Sequence, residues 1–300
     1  MATQFGVGMP TLAAAGNDFP LAESARRAEQ LGFDSLWVVD HLIFHTGIVE
    51  PVTALATAAA VTEDIGLGFG VLQAAMRQPA LLAKQLASLQ LLSRDRIRLG
   101  VGVGGENPAE WAAAGVPPGT RGRRTDALLA ALPGLLAGQA VRLGPPYDLD
   151  VPALAPAAKM PPVWIGGRGE PALNRAARYG DGWLGLFLDA ARFDGRRSRL
   201  AELAEALGRP APRVGITVFT AVDDRRPGPV KRSAGDFLAA VYGGSSPQIE
   251  RYLIAGTSAE VADGLAEFRA AGADLVVLLP AATDYLDQYE RLASIVVGNS

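Results

Sequence analysis

Apolar residues in this chain gather in short unbroken runs. Phe5 to Met9, Ser35 to Val39, Ile65 to Val71 and Ile97 to Val101 begin about 30 residues apart, the length of a strand, a loop, a helix and a return loop. Between the runs the period changes. Phe19 to Leu31 carries Leu21, Ala25, Ala28 and Leu31 at helical spacing and stops at Gly32; Pro79 to Leu92 repeats the design with Leu82, Leu86 and Leu89. Four more runs, Val163 to Ile165, Gly182 to Leu186, Val214 to Phe219 and Leu275 to Leu279, bring the strands to eight. Strands that are apolar on both faces belong in a parallel sheet covered by helices. The pattern therefore predicts an α/β fold, a single (β/α)8 TIM-barrel domain over residues 1–300. Two gaps exceed the repeat: 139–161, rich in Pro and Gly, after the fourth helix, and 221–257, with "DDRRPGPVKR" and "YGGSSPQ", around the seventh. Both read as loop insertions that serve as lids or binding loops.

Composition narrows the partners. With 49% hydrophobic and 20% charged residues the chain can fill a large core, so an ordered globular protein is expected. A net charge of -3 leaves no footprint for nucleic acid. The basic runs Arg121 to Arg124 and Arg225 to Arg232 read as solvated charges, whose functional use would be to hold an anionic ligand. The absence of cysteine removes disulfides, thiolate metal sites and a thiol nucleophile together. The amino terminus lacks a signal-peptide pattern and no apolar run approaches the roughly 20 residues of a membrane span, so a cytoplasmic protein without membrane partners is expected.

Only the carboxyl ends of barrel strands converge on one pocket, and chemistry is expected there. The second strand ends in "SLWVVDH", which places Asp40 and His41 at that rim. His41 and His45 have the spacing of a helical zinc pair, but without a third histidine or a cysteine no metal is expected. After the fourth strand, "LGVGVGGENPAEW" matches GxGxxG at Gly100, Gly102 and Gly105. A dinucleotide fingerprint normally follows the first strand, so these glycines read instead as letting a flat ring approach the backbone. In "PVWIGGRGEPALNRAARYGDGW" a strand runs into Gly166, Gly167 and Arg168, and Glu170-Pro171 opens a helix. Free N–H groups at that helix start, with Arg168, make an anion site suited to a phosphate. Trp37, Trp164 and Trp183 read as core or pocket wall, with Trp183 and Phe44 assigned to the substrate pocket.

Together these stretches, with "EPVTALATAAAVTEDIGLGFGVL", "RQPALLAKQLASLQLLSRDRIRLGVGVGG" and "EWAAAGVPPGTRGRRTDALL", resemble the luciferase-like flavin and deazaflavin oxidoreductases over nearly the whole chain. The resemblance implies a (β/α)8 barrel that binds coenzyme F420 or FMN, with Asp40 hydrogen-bonded to the cofactor and His41 handling a proton at the substrate. It implies a non-prolyl cis peptide at Gly70-Val71 behind the central ring. Gly104, Gly105, Glu106 and Asn107 would surround the ring and its side chain, with Gly166, Gly167 and Arg168 on the phosphate. Where the sugar-phosphate dehydrogenases of that superfamily carry a catalytic glutamate after the fourth strand, this chain has Gly105, which argues against glucose 6-phosphate.

The expected activity is F420-dependent hydride transfer to or from a small carbonyl, imine or activated alkene. The alternative is an FMN-dependent monooxygenase that uses reduced flavin from a partner reductase and oxygen. A homodimer is expected, as is common in such proteins. An aldolase or isomerase on the same barrel is a further reading; the Schiff-base lysine that would mark it belongs at a strand end, and Lys84, Lys159 and Lys231 all fall on helices or loops, which argues against it. A non-catalytic barrel that binds flavin without turnover is the remaining reading.

Overall fold

The computed structural model describes residues 2–13, 19–105, 107–244 and 247–297. Twelve strands occur among them: β1 (Gln4–Gly8), β2 (Ser35–Val38), β3 (Gly66–Phe69), β4 (Leu72–Gln73), β5 (Ile97–Gly102), β6 (Val141–Leu143), β7 (Leu149–Val151), β8 (Val163–Gly166), β9 (Gly182–Leu186), β10 (Arg213–Val222), β11 (Leu253–Gly256) and β12 (Leu275–Pro280). Eight of them, β1, β2, β3, β5, β8, β9, β10 and β12, pair in parallel and close on themselves. Closure runs through β10, which pairs Arg213 with Gly182 on β9 and Gly215 with Leu275 on β12. The predicted TIM barrel is the fold.

Around the barrel lie α1 (Leu21–Gln30), α2 (Pro51–Val61), α3 (Pro79–Ser93), α4 (Pro108–Ala113), α5 (Arg121–Leu136), α6 (Glu170–Tyr179), α7 (Ala190–Ala206), α8 (Pro227–Tyr242), α9 (Pro247–Glu250), α10 (Ser258–Ala270) and α11 (Tyr285–Val296). Proline opens many of them, and side chains close the free N–H groups of the first turn: Glu50 accepts from Thr53 on α2, and Gln78 from Leu81 on α3. The main core lies between strands and helices, with Leu36, Leu67, Leu82 and Phe193 buried in it. Inside the barrel, Trp37 and Trp164 meet edge to face at 6.5 Å and form a plug with Leu184, Leu275 and Val277. A Cβ on Gly68 or on Gly182 would stand 2.4 Å from one of these indoles, so small residues on the adjacent paired strands make room for them.

The insertions differ from the loops expected. Within 139–161, β6 and β7 form an antiparallel pair. Within 221–257 lie the sixteen-residue helix α8, the short α9 and the strand β11, which pairs in parallel with the outer half of β10. Pro227 and Pro229 in "RRPGPVKR" fall in the first turn of α8, where their missing N–H groups cost nothing. Among the described residues no helix is long and apolar enough to cross a membrane.

Candidate active site

A cavity of about 310 Å³ opens at the carboxyl ends of the strands. Asp40, His41 and Phe44 line it from the loop after β2, Gly70 and Val71 from between β3 and β4, Gly104 and Gly105 from beyond β5, and Gly166 and Gly167 from the end of β8. The structure thus brings these sequence candidates to one wall system.

His41 is held from behind. Its Nδ1 lies 3.2 and 3.4 Å from the two carboxylate oxygens of Glu110 and 2.8 Å from Gln73 Nε2. Glu110 has no solvent-exposed side-chain surface, and its Oε1 accepts the backbone N–H of Leu42 at 2.6 Å. One carboxylate therefore fixes both the loop after β2 and the imidazole within it. With Nδ1 turned to Glu110 and Gln73, proton exchange falls to Nε2, for which no hydrogen bond occurs among the described residues. The Phe44 ring stacks on His41 at 4.0 Å and 14°, and so fixes its plane. Sequence reasoning missed both Glu110 and Gln73. The only signal for Glu110 was a carboxylate in the first turn after Asn107-Pro108, a helix start.

Asp40 does not project a free carboxylate. Both oxygens take Arg77 Nη2 at 3.0 Å, and Oδ2 also accepts Gln73 N at 2.8 Å. Burial pushes this carboxyl above the usual range, while Arg77 and the Gln73 N–H pull against the shift. Asp40 thus anchors β4 to the end of β2 while lining the cavity.

The Gly70-Val71 peptide is cis, and Val71 lines the cavity and packs on the Trp37–Trp164 plug. A Cβ on Gly102 would lie 2.6 Å from Val71 Cγ2, and one on Gly166 2.7 Å from Val71 Cγ1. Gly100 would collide with the Phe69 carbonyl at 1.8 Å. Gly100 therefore makes room for the Phe69 backbone, and Gly102, which also lines the cavity, makes room for Val71. Gly105 is different: its nearest neighbour would be His41 Cε1 at 3.7 Å, so it leaves open space beside the imidazole. Its carbonyl is fixed by Trp111 Nε1 at 2.9 Å and Arg121 Nη1 at 3.0 Å. Arg124 likewise bonds Ala75 O at 2.8 Å, so two arginines of the first basic run brace site loops.

Three candidates stand off the cavity and one cannot be placed. Trp183 is fully buried on the helix side, stacked on Phe193 at 5.4 Å with Nε1 bonded to Gly167 O, so it is no part of a substrate pocket. Asn107 is the N-cap of α4, accepting from Ala109 N and donating to Ile43 O at 3.2 Å. Arg168 turns into a neighbouring cleft. Glu106 lies outside the described residues. The segment after Asp40 is not helical, so His41 and His45 do not form the i,i+4 pair.

The outer wall comes partly from the insertion. Tyr242, at the end of α8, meets Phe44, Phe187 and Phe219 at ring distances of 5.7, 5.7 and 6.0 Å. Burial raises its hydroxyl well above the ordinary tyrosine range. These features fit a flat cofactor. Val71 supplies an apolar floor, Gly104 and Gly105 carry no side chain to block a ring, and α6 starts at Gly169 without a side-chain cap, where a phosphate can take the free N–H groups.

Such a barrel, with an apolar pocket, a braced histidine and an anion-ready helix start on one rim, belongs to the class that takes small organic ligands at the carboxyl ends of its strands. The chain is a member of the luciferase-like monooxygenase family, whose profile matches residues 20–228. It is 36% identical over 166 residues to an uncharacterized protein of Mycobacterium tuberculosis, covering 55% of this chain and 57% of that one. The chain thus spans little more than half the length of that relative. It is 28% identical over 230 residues to the 5,10-methylenetetrahydromethanopterin reductase of Methanolobus tindarius, covering 76% and 69%. An F420-dependent secondary alcohol dehydrogenase solved with an F420–acetone adduct shares the fold, with TM-score 0.85 and 19% identity over the full length of both chains.

Proposed function

We propose that the chain is an F420-dependent oxidoreductase acting on a small carbonyl, imine or activated alkene. The observation that carries this reading is His41: its Nδ1 is fixed by Glu110, so Nε2 is the nitrogen left to exchange a proton at the apolar cavity beside Val71. Bound there, the deazaflavin supplies or accepts the hydride. The chain's residues do the rest. Val71, Gly104 and Gly105 position the ring system, and the helix start at Gly169 with Gly167 takes the phosphate. His41 gives or takes the substrate proton, and Phe44 and Tyr242 exclude water and select small apolar substrates. The F420-dependent secondary alcohol dehydrogenase of matching fold supports this cofactor class.

The family description supports a second reading, an FMN-dependent monooxygenase that takes reduced flavin from a separate reductase. Equilibrium titration of the apoprotein with F420 and with FMN, oxidised and reduced, under anaerobic conditions separates the two. Tight binding of F420 is expected. Preference for reduced FMN would replace the first reading with the second, and binding of neither would remove both.

A further inference from the structure

Beside the main cavity lies a cleft of about 940 Å³, and Arg168, Arg192, Arg196 and Arg251 line it from three separate parts of the chain. Arg168 precedes α6, Arg192 and Arg196 lie on α7, and Arg251 follows α9. Among the described residues no carboxylate lines it. Asp189, the N-cap of α7, approaches Arg192 at 3.5 Å, and Glu170 is engaged by Arg199 on the far side. Glu250, next to Arg251 in the chain, is also engaged. Among the described residues neither Arg168 nor Arg196 forms a salt bridge. The Tyr252 hydroxyl meets both Arg192 Nη1, at 3.4 Å, and Arg251 Nη2, and so draws two like charges together across the cleft. Holding guanidiniums together without an anion between them is unfavourable, and an anion reverses the sign.

The cleft is continuous with the proposed cofactor site. Gly167 lines the main cavity, while the next two residues, Arg168 and Gly169, line the cleft. Phe187 stands between the two spaces, stacked on Phe219 of the main cavity at 5.9 Å and with Arg168 6.0 Å from its ring centre. A single phosphate at the start of α6 is matched by the helix end and Arg168. It leaves Arg196 and Arg251 further out with no salt bridge among the described residues, and Arg192 with only the exposed Asp189 at 3.5 Å, a surplus that fits a ligand whose negative charge continues past the phosphate.

We propose that this cleft binds the oligoglutamate tail of F420, a run of carboxylates beyond the cofactor's phosphate, through Arg192, Arg196 and Arg251. The proposal rests on the F420 reading above. FMN ends at its phosphate and has nothing to place there.

The test is the affinity of the purified chain for F420 carrying no glutamate, for F420 carrying several, and for FMN, measured by fluorescence titration at low and high salt. The tailed form is expected to bind about tenfold more tightly at low salt, from three solvent-facing pairs of modest worth, with the gap closing as salt is raised. The triple variant Arg192→Ala, Arg196→Ala, Arg251→Ala should erase the gap and hold the affinity for the tail-less form within about twofold, which also reports an intact fold. Equal affinity of the wild-type chain for both F420 forms overturns the tail site and leaves the cofactor reading standing. A tail preference that survives the triple substitution assigns the tail to other residues. Binding of FMN with neither form of F420 overturns both.

Discussion

Glu110 is where the site's geometry is most exposed to a single substitution. Its carboxylate holds the Leu42 N–H and His41 Nδ1 at once, and no solvent reaches it to replace either bond. Glu110→Gln keeps the volume and removes the charge. A hydrogen bond to a charged group is worth about 1.5–3 kcal/mol, so turnover should fall about ten- to a hundredfold while cofactor affinity changes little. A double-mutant cycle with His41→Ala, read on kcat, distinguishes positioning from general damage: once the imidazole is gone, Glu110→Gln should cost almost nothing more. Additive losses would deny that Glu110 works through His41. Gly102 makes a second prediction at the same scale. Its Cβ would sit 2.6 Å from Val71 Cγ2, so Gly102→Ala should destabilise the chain by about 1–3 kcal/mol in denaturant unfolding. Val71→Ala introduced beside it should return a large part of that loss, because the clash is with that side chain alone. Failure of the second change to rescue the first would mean that the strands, and not Val71, set the spacing.

At the scale of elements, α10 carries a pH-dependent start. Thr257 and Glu260 form a capping box, each side chain reaching the other's backbone N–H, and Lys231 of α8 pairs with the same carboxylate at 2.7 Å. Lys231 first, and then the Thr257 N–H, lower the Glu260 carboxyl to about 2 from its ordinary 4.5. A depressed carboxyl contributes its stabilisation in full above the ordinary value and loses it as the pH falls through the folded one. The difference in thermal midpoint between the wild type and Glu260→Gln should therefore be constant near neutrality and close between about pH 5 and pH 2. A difference that stays fixed across that window would mean that the pair with Lys231 does not form. Legibility in the sequence also divides by element. The eight barrel strands could be read because parallel strands covered on both sides are apolar throughout. That same property hid which face was which: Trp183 and Leu184 alternate on β9, and nothing local says that the indole points to the helices and the leucine to the barrel interior. The prolines of α8 point to a loop, although Val230, Ala234, Phe237, Leu238 and Val241 recur at helical spacing along it. The Glu110–His41 contact joins residues 69 apart in the chain, beyond the reach of any local period. His41, Gly105 and the Gly166-Gly167 turn were legible because a barrel places every strand end on one rim.

Across the whole molecule, the proposed cofactor would touch loops that follow β2, β3, β5, β8 and β10, more than half of the barrel's circumference. Those loops meet nowhere in an unfolded chain, so the ligand binds only the closed barrel, and its free energy adds to that of folding. At a free concentration one hundred times the dissociation constant the addition is about 2.7 kcal/mol, which for a chain of this length corresponds to a rise of about 4 °C in the thermal midpoint. The rise should continue with the logarithm of the concentration after the site is saturated, because mass action on the unfolded state has no ceiling. F420 should produce it at lower concentration than FMN. A midpoint that stays flat with both, in a chain shown to be folded, would mean that no cofactor bridges these loops and that the cavity behind Val71 serves another ligand. A rise with FMN alone would keep the site and change its chemistry.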